Sequence, residues 1–149
     1  MIERELERRI VERIGRLGLD GLQVVGVWGG RPEDAEASAA KAVLAVVVRP
    51  RQYEAYLSSR AEFAVALTLS VRIEACGGPD GLEYYAAALT GVLEGWQGSI
   101  GEAKADLWIE NEFSPAGVRV DGGDVELDTD RGAWVVQQTF SVRGIVTRR

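Results

Sequence analysis

The 149-residue chain sets 17 basic against 23 acidic side chains, a formal charge of −6, and holds one cysteine and no histidine. Without histidine it lacks the commonest general base, the usual serine or cysteine catalytic pairings and histidine metal sites; one cysteine leaves neither a thiolate zinc site nor an internal disulfide framework. Its length suits a single domain, 1–149, with a core of its own, and the lone Cys76 fits a reducing compartment and a small apolar filler role.

Ile2 to Leu17 reads as an amphipathic helix, with Ile2, Leu6, Ile10, Ile14 and Leu17 on one stripe and arginines and glutamates over the rest. Pairs such as Glu5 with Arg9 and Glu12 with Arg16 support its wet face, and Gly18 is a C-terminal cap candidate. Alternating acids and bases in the first turns do not lead into an apolar signal core. The longest apolar run, Ala42 to Val48, is far short of the roughly 20 residues of a membrane span. A soluble intracellular protein with no membrane partner is expected.

Leu22 to Trp28 reads as a short strand and Gly29 to Lys41 as a mobile loop without apolar period. Ala42–Val48, apolar on both faces, predicts a central strand covered on each side, ended by Arg49-Pro50. For Arg51 to Arg60 the expectation is a helical turn carrying Tyr53, Tyr56 and Leu57.

The next stretch, Ala61 to Ala75, is the most informative. Phe63, Val65, Leu67, Leu69, Val71 and Ile73 alternate with Glu62, Ala64, Ala66, Thr68, Ser70, Arg72 and Glu74, which sends the two sets to opposite faces of a strand. At ~3.3 Å per residue such a strand reaches roughly 50 Å, against about 5–6 residues for a common one. A sheet that overruns a small core suits a subunit that builds assemblies. Gly77-Gly78-Pro79 breaks it.

Asp80, with Glu83 completing a capping box, opens a helix in which Leu82, Tyr85, Ala86, Leu89, Leu93 and Trp96 recur down to Gln97. The remainder reads as β-structure. Ala105 to Phe113 forms a strand with Leu107, Ile109 and Phe113 opposite Asp106, Trp108, Glu110 and Glu112. Val118 with Val120, and Val125 with Leu127, form two short strands about a Gly122-Gly123 turn. After a polar turn at Asp128–Gly132 comes a long strand, Trp134–Val146, with Trp134, Val136, Phe140, Val142 and Val146 on one face. The fold class is α+β: a mostly antiparallel sheet with long strands and two α-helices packed on one face. The polar set of the long strand makes the other face.

The acids Asp121, Asp124, Glu126, Asp128 and Asp130 alternate along 121–130. Hard cations prefer such oxygen ligands, but the EF-hand pattern fails: counted from Asp124, the required glycine is Thr129 and position twelve is Val135. A solvated acidic hairpin edge is the reading, with no metal and no cofactor. Gly29-Gly30 and Gly77-Gly78 sit in no phosphate-binding frame and read as turns. Trp108, placed among acids on a strand, is a candidate partner contact, its alternative being packing beneath a neighbouring hairpin. The small residues Ala64, Ala66, Thr68 and Ser70 allow close approach of a second copy. These positions form the candidate interaction surface, and no catalytic residue stands out.

In layout the chain resembles the tail terminator proteins of long-tailed bacteriophages and the related minor tail proteins of prophages. Three features carry the likeness. They are the opening helix followed by Leu22–Trp28, the apolar strand closed by Arg49-Pro50 before the long strand Glu62–Ala75, and the helix Leu82–Gln97 followed by a β-region ending in Trp134–Val146. The resemblance covers nearly the whole chain in element order and includes no diagnostic motif. It implies a non-enzymatic virion protein forming a ring, often of six subunits, that caps the tail tube and joins tail to head. Its partners would be copies of itself, the tail tube and head–tail connector proteins, and it carries over no catalytic residue.

Two other readings stay open: another head–tail joining protein, and a cytoplasmic α+β ligand-binding or enzymatic domain using Asp124 or Asp128 as acid–base groups. From Glu102 to Arg131 nine acids face three bases, a balance of −6. A hairpin of that charge facing a channel or a basic partner repels phosphate, so no binding to duplex DNA is expected.

Overall fold

The computed structural model describes residues 1–28, 41–76 and 79–147, without the side chains at 75, 76, 79 and 80. The expected loop, apart from Lys41, the Gly77-Gly78 break, the Cys76 filler and the Asp80 cap lie outside the described residues. In chain order the elements are α1 (Ile2–Gly15), β1 (Leu22–Gly26), β2 (Ala42–Val48), β3 (Gln52–Tyr53), β4 (Arg60–Arg72), α2 (Ile73–Cys76), α3 (Pro79–Gly98), α4 (Ile100–Leu107), β5 (Phe113–Asp128) and β6 (Ala133–Val146). One sheet runs β1-β2-β4-β6-β5, with β3 paired to the start of β4. The β1–β2 pair is parallel and the other pairings are antiparallel. The α+β class with a mostly antiparallel sheet is as read from the sequence.

The apolar stripe of α1 is buried at Ile2, Leu6, Ile10 and Ile14, and these join the odd residues of β4, the even residues of β2 and the apolar side of α3 in one core cluster. Burying each such side chain contributes about 1.5–3 kcal/mol. Helix α1 ends at Gly15 with Arg16 rather than Gly18 at its C-cap; Gly18, two residues further on, adopts φ +62° with its N–H donating to the Gly15 carbonyl at 3.2 Å, a left-handed conformation that suits glycine. β2 is buried at all seven residues, as an apolar run on both faces requires. In β4, Phe63, Val65, Leu67, Leu69 and Val71 point to the helices, while Ala64, Ala66, Thr68 and Ser70 point away.

Five further expectations are corrected. The long strand stops at Arg72 and Ile73–Cys76 is a helical turn; the Ile73 N–H still donates to the Gly132 carbonyl at 3.1 Å, in register with the β4–β6 ladder, before the chain leaves it. Residues 51–60 form no helical turn; Gln52 and Tyr53 pair with Glu62 and Ala61, leaving an arm with Tyr56 92% and Leu57 87% exposed. The segment from Ala105 is not a strand. Helix α4 occupies 100–107, its N-terminus held by Ser99 Oγ accepting the Glu102 N–H at 3.2 Å, and the chain then turns to bridge Ile109 with Phe113.

The fourth correction is Gly122-Gly123, which is no turn: β5 runs through it as one sixteen-residue strand with a bulge between Val120 and Gly123. A Cβ on Gly123 would lie 2.8 Å from the Gln137 carbonyl oxygen, so the bulge needs a residue without one. Fifth, the wet face of α1 is not wholly wet, since Glu3 and Glu7 are buried. Glu3 is held by Arg51 through contacts of 2.7 Å and 2.9 Å from the guanidinium and 2.9 Å from its backbone N–H. That pair pins α1 to the end of β2, and the same guanidinium lies 5.8 Å from the centre of the Phe63 ring.

Candidate interaction surface

Strand alternation builds a second sheet face from small and polar residues. Ladder pairs there are Ala64 with the buried Ser141, Ala66 with Thr139, Thr68 with Gln137 and Ser70 with the buried Val135, bounded on β2 by Val47, Ala45 and Val43, which are themselves buried. Ala64 is exposed, and Ala66, Thr68 and Ser70 are half-buried. Among the described residues no helix lies over this face; the helices' apolar sides belong to the core cluster on the other. The predicted small-residue stripe is therefore assembled, and side chains this short leave a shallow surface.

Trp108 is 47% exposed but sits at the C-terminal cap of α4, not on a strand. The acid that spacing placed beside it, Asp106, is engaged elsewhere: it accepts Trp96 Nε1 at 2.7 Å and Arg13 Nε at 3.1 Å, tying α1, α3 and α4 together. The acids of 121–130 also divide. Asp121 sits at the β5 bulge, accepting Arg119 Nε at 2.9 Å and Ser141 Oγ at 3.0 Å. Asp128 accepts the Asp130 and Arg131 N–H groups and holds the β5–β6 turn, where Gly132 has φ +61°. Asp124, Glu126 and Asp130 are exposed and have no ion pair among the described residues. Asp124, Glu126 and Asp128 share the second face at two-residue steps, roughly 7 Å apart along the strand, too far for three to grip one cation. No cluster of three metal-ligating side chains occurs among the described residues.

Two of the larger grooves on the described surface carry charged linings. One of about 560 Å³ is lined by Arg4, Glu7, Arg8, Val11 and Ile109 among others. Burial pushes the Glu7 carboxyl up, against the Val27 and Val48 N–H groups and Arg4, and its Oε1 has no hydrogen-bond partner. The second, about 520 Å³, lies at the start of β4 between Gln52, Tyr53, Arg60, Glu62, Gly117 and Arg143. Asp124 and Asp128, the acid–base candidates, line neither groove.

Sequence reasoning missed Glu7 and the arginines of the second groove. Glu7 looks like any glutamate of a charged helix face, and only the close approach of Gly26 on β1, where an added Cβ would lie 2.8 Å from its Oε2, betrays its burial. Arg60 and Arg143 meet through the β4–β6 register, which sets Glu62 opposite Arg143 and Arg60 opposite Ile145.

No family model matches this chain, and no curated protein matches it. A solved structure does: a chain in the virion of a native gene transfer agent (GTA) particle, with a TM-score of 0.55 and 13% identity over 93% of this chain and 89% of that one. At that identity the likeness is one of fold.

Proposed function

We propose that this chain is a structural protein of a phage-like particle, a single domain spanning 1–149 that forms a ring, of six copies by the family's habit, capping the tail tube and joining tail to head. One observation carries the reading: the fold is shared across nearly its whole length with a chain of a virion. Supporting it, the sheet offers a strip of small and polar residues, Ala64 to Ser70 beside Gln137 and Thr139, with no described helix on it. Fold likeness is an analogy, so the function rests on the surface as well. The ring places the protein in the virion tail, with the tail tube and connector proteins as partners. Among the described residues no helix is long and apolar enough to cross a membrane.

Light scattering over a range of concentration and salt tests self-association. A particle several times the 16.2 kDa chain is expected, while a strict monomer at the highest concentrations, with and without tail tube, removes the ring. The ligand-binding alternative draws on Glu7 and its groove, a carboxyl that burial raises beside a cavity. That groove is open and rimmed by the exposed Arg4 and Arg8, unlike the closed pocket a small-molecule site prefers.

A further inference from the structure

The two ends of the β4–β6 ladder carry opposite, unspent charge. At one end Arg60 faces Ile145 and Arg143 faces Glu62, and Arg49 leaves β2 with its N–H on the Ala64 carbonyl at 2.8 Å. All three arginines are exposed, and none has an ion pair among the described residues. Arg60 and Arg143 line the 520 Å³ groove; of the groove's two acids, Glu62 is met by Arg119 at 3.4 Å and Glu54 is exposed. At the other end, where Asp128 faces Ala133 and Ala133 faces Arg72, stand the unpaired Asp124, Glu126 and Asp130. Arg60 and Glu62 share a face with Ala64–Ser70, as do Asp124 and Glu126 through their partners Gln137 and Val135.

Apolar side chains accompany both ends. Tyr56, Leu57 and Ile145 are exposed beside the arginines, and Val125 and Leu127 are exposed on the other face of β5 from Asp124 and Glu126. A chain cannot satisfy itself, since the ladder sets Asp124 level with Thr68 and Glu126 level with Ser70, roughly 20–33 Å from Arg143 and Arg60 at ~3.3 Å per residue.

We propose that the occupant of the Arg60–Arg143 groove is the acidic end of the β5–β6 hairpin of a second copy, with Asp124, Glu126 and Asp130 meeting Arg49, Arg60 and Arg143. The inference rests on the self-assembly of the proposed function, and it selects a basic partner surface over a channel as what the hairpin faces. In a ring the contact runs head to tail, and each copy offers one end of each kind. It is charge-driven, so association weakens as salt rises.

Sedimentation velocity of the full chain at low and physiological salt provides the test, on Arg60→Glu/Arg143→Glu, on Asp124→Arg/Glu126→Arg and on the chain carrying all four changes. All four positions are exposed, so circular dichroism should match the parent. The expected result is association weakened on the order of tenfold or more in each two-site variant, and regained in the four-site chain where the charges are exchanged. Two-site variants that assemble like the parent, or a folded four-site chain that stays apart, overturn the contact and leave the ring standing. A parent that stays monomeric throughout removes the ring itself. If the arginine variant instead loses binding to duplex DNA with self-association unchanged, the groove belongs to nucleic acid and the proposal falls.

Discussion

Glu3 and Glu7, one turn apart on α1, are both buried and have opposite electrostatic fates. Burial alone would raise Glu3, but the Arg51 side chain and backbone N–H outweigh it and hold its carboxyl below the ordinary 4.5. The stability it contributes is therefore present above pH 4.5 and is lost as pH falls through its lower folded value. Glu7 is raised by burial, so between 4.5 and its higher folded value the native chain binds more protons than the unfolded one. Its contribution is present below 4.5 and is lost as pH rises through that window. Urea titrations across pH 3–8 should accordingly show Glu7→Gln more stable than the parent at neutral pH with a flatter high-pH limb. Glu3→Gln should lose up to about 3 kcal/mol at neutral pH, at the low end for a broken buried pair because Arg51 keeps 24% of its side chain exposed. A parent-like Glu7→Gln curve would mean that the carboxyl is solvated.

Strands were legible where alternation is strict. β4 and β6 start within a residue of their predicted bounds, because period-two burial leaves little choice of register, while β2, apolar on both faces, matches its bounds through the Arg49-Pro50 stop. Helix α4 was misread although its signal was printed in the chain: Ser99-Ile100-Gly101-Glu102 has the spacing of a capping box. Leu107 and Ile109 suggested alternation because a helix end and a turn happened to place two apolar residues two apart. Ser99→Ala should cost about 1 kcal/mol in thermal or urea unfolding, and no loss would mean that tertiary packing alone holds α4. Gly122-Gly123 illustrates an ambiguity of another kind, since paired glycines serve a tight turn or a bulge equally well and only the partner strand decides. Gly123→Val should cost about 1–3 kcal/mol, as its side chain would crowd Gln137 and Gln138. A neutral outcome would show that the edge can straighten. The candidate surface was half legible: the stripe Ala64–Ser70 follows from one strand, but the arginine groove depends on residues 83 apart in sequence meeting across a ladder.

For the whole molecule, charge decides what it avoids. With −6 overall and its surplus of acids between 102 and 131, the chain should show no duplex DNA binding at physiological salt in a gel-shift or anisotropy titration. Micromolar binding there would overturn that expectation. The order of the sheet adds a constraint on timing. β6 follows every other strand in the chain yet lies between β4 and β5, so neither of those strands finds its long neighbour until residues 133–146 have been made. A growing chain halted before Ala133 can form α1, α3 and the β2–β4 pair, but the row Val135, Gln137, Thr139 and Ser141 is still missing from its second face. Two such chains, each still lacking β6, would have no finished second face to join: that face waits for β6, whatever the rest of the fold has already made.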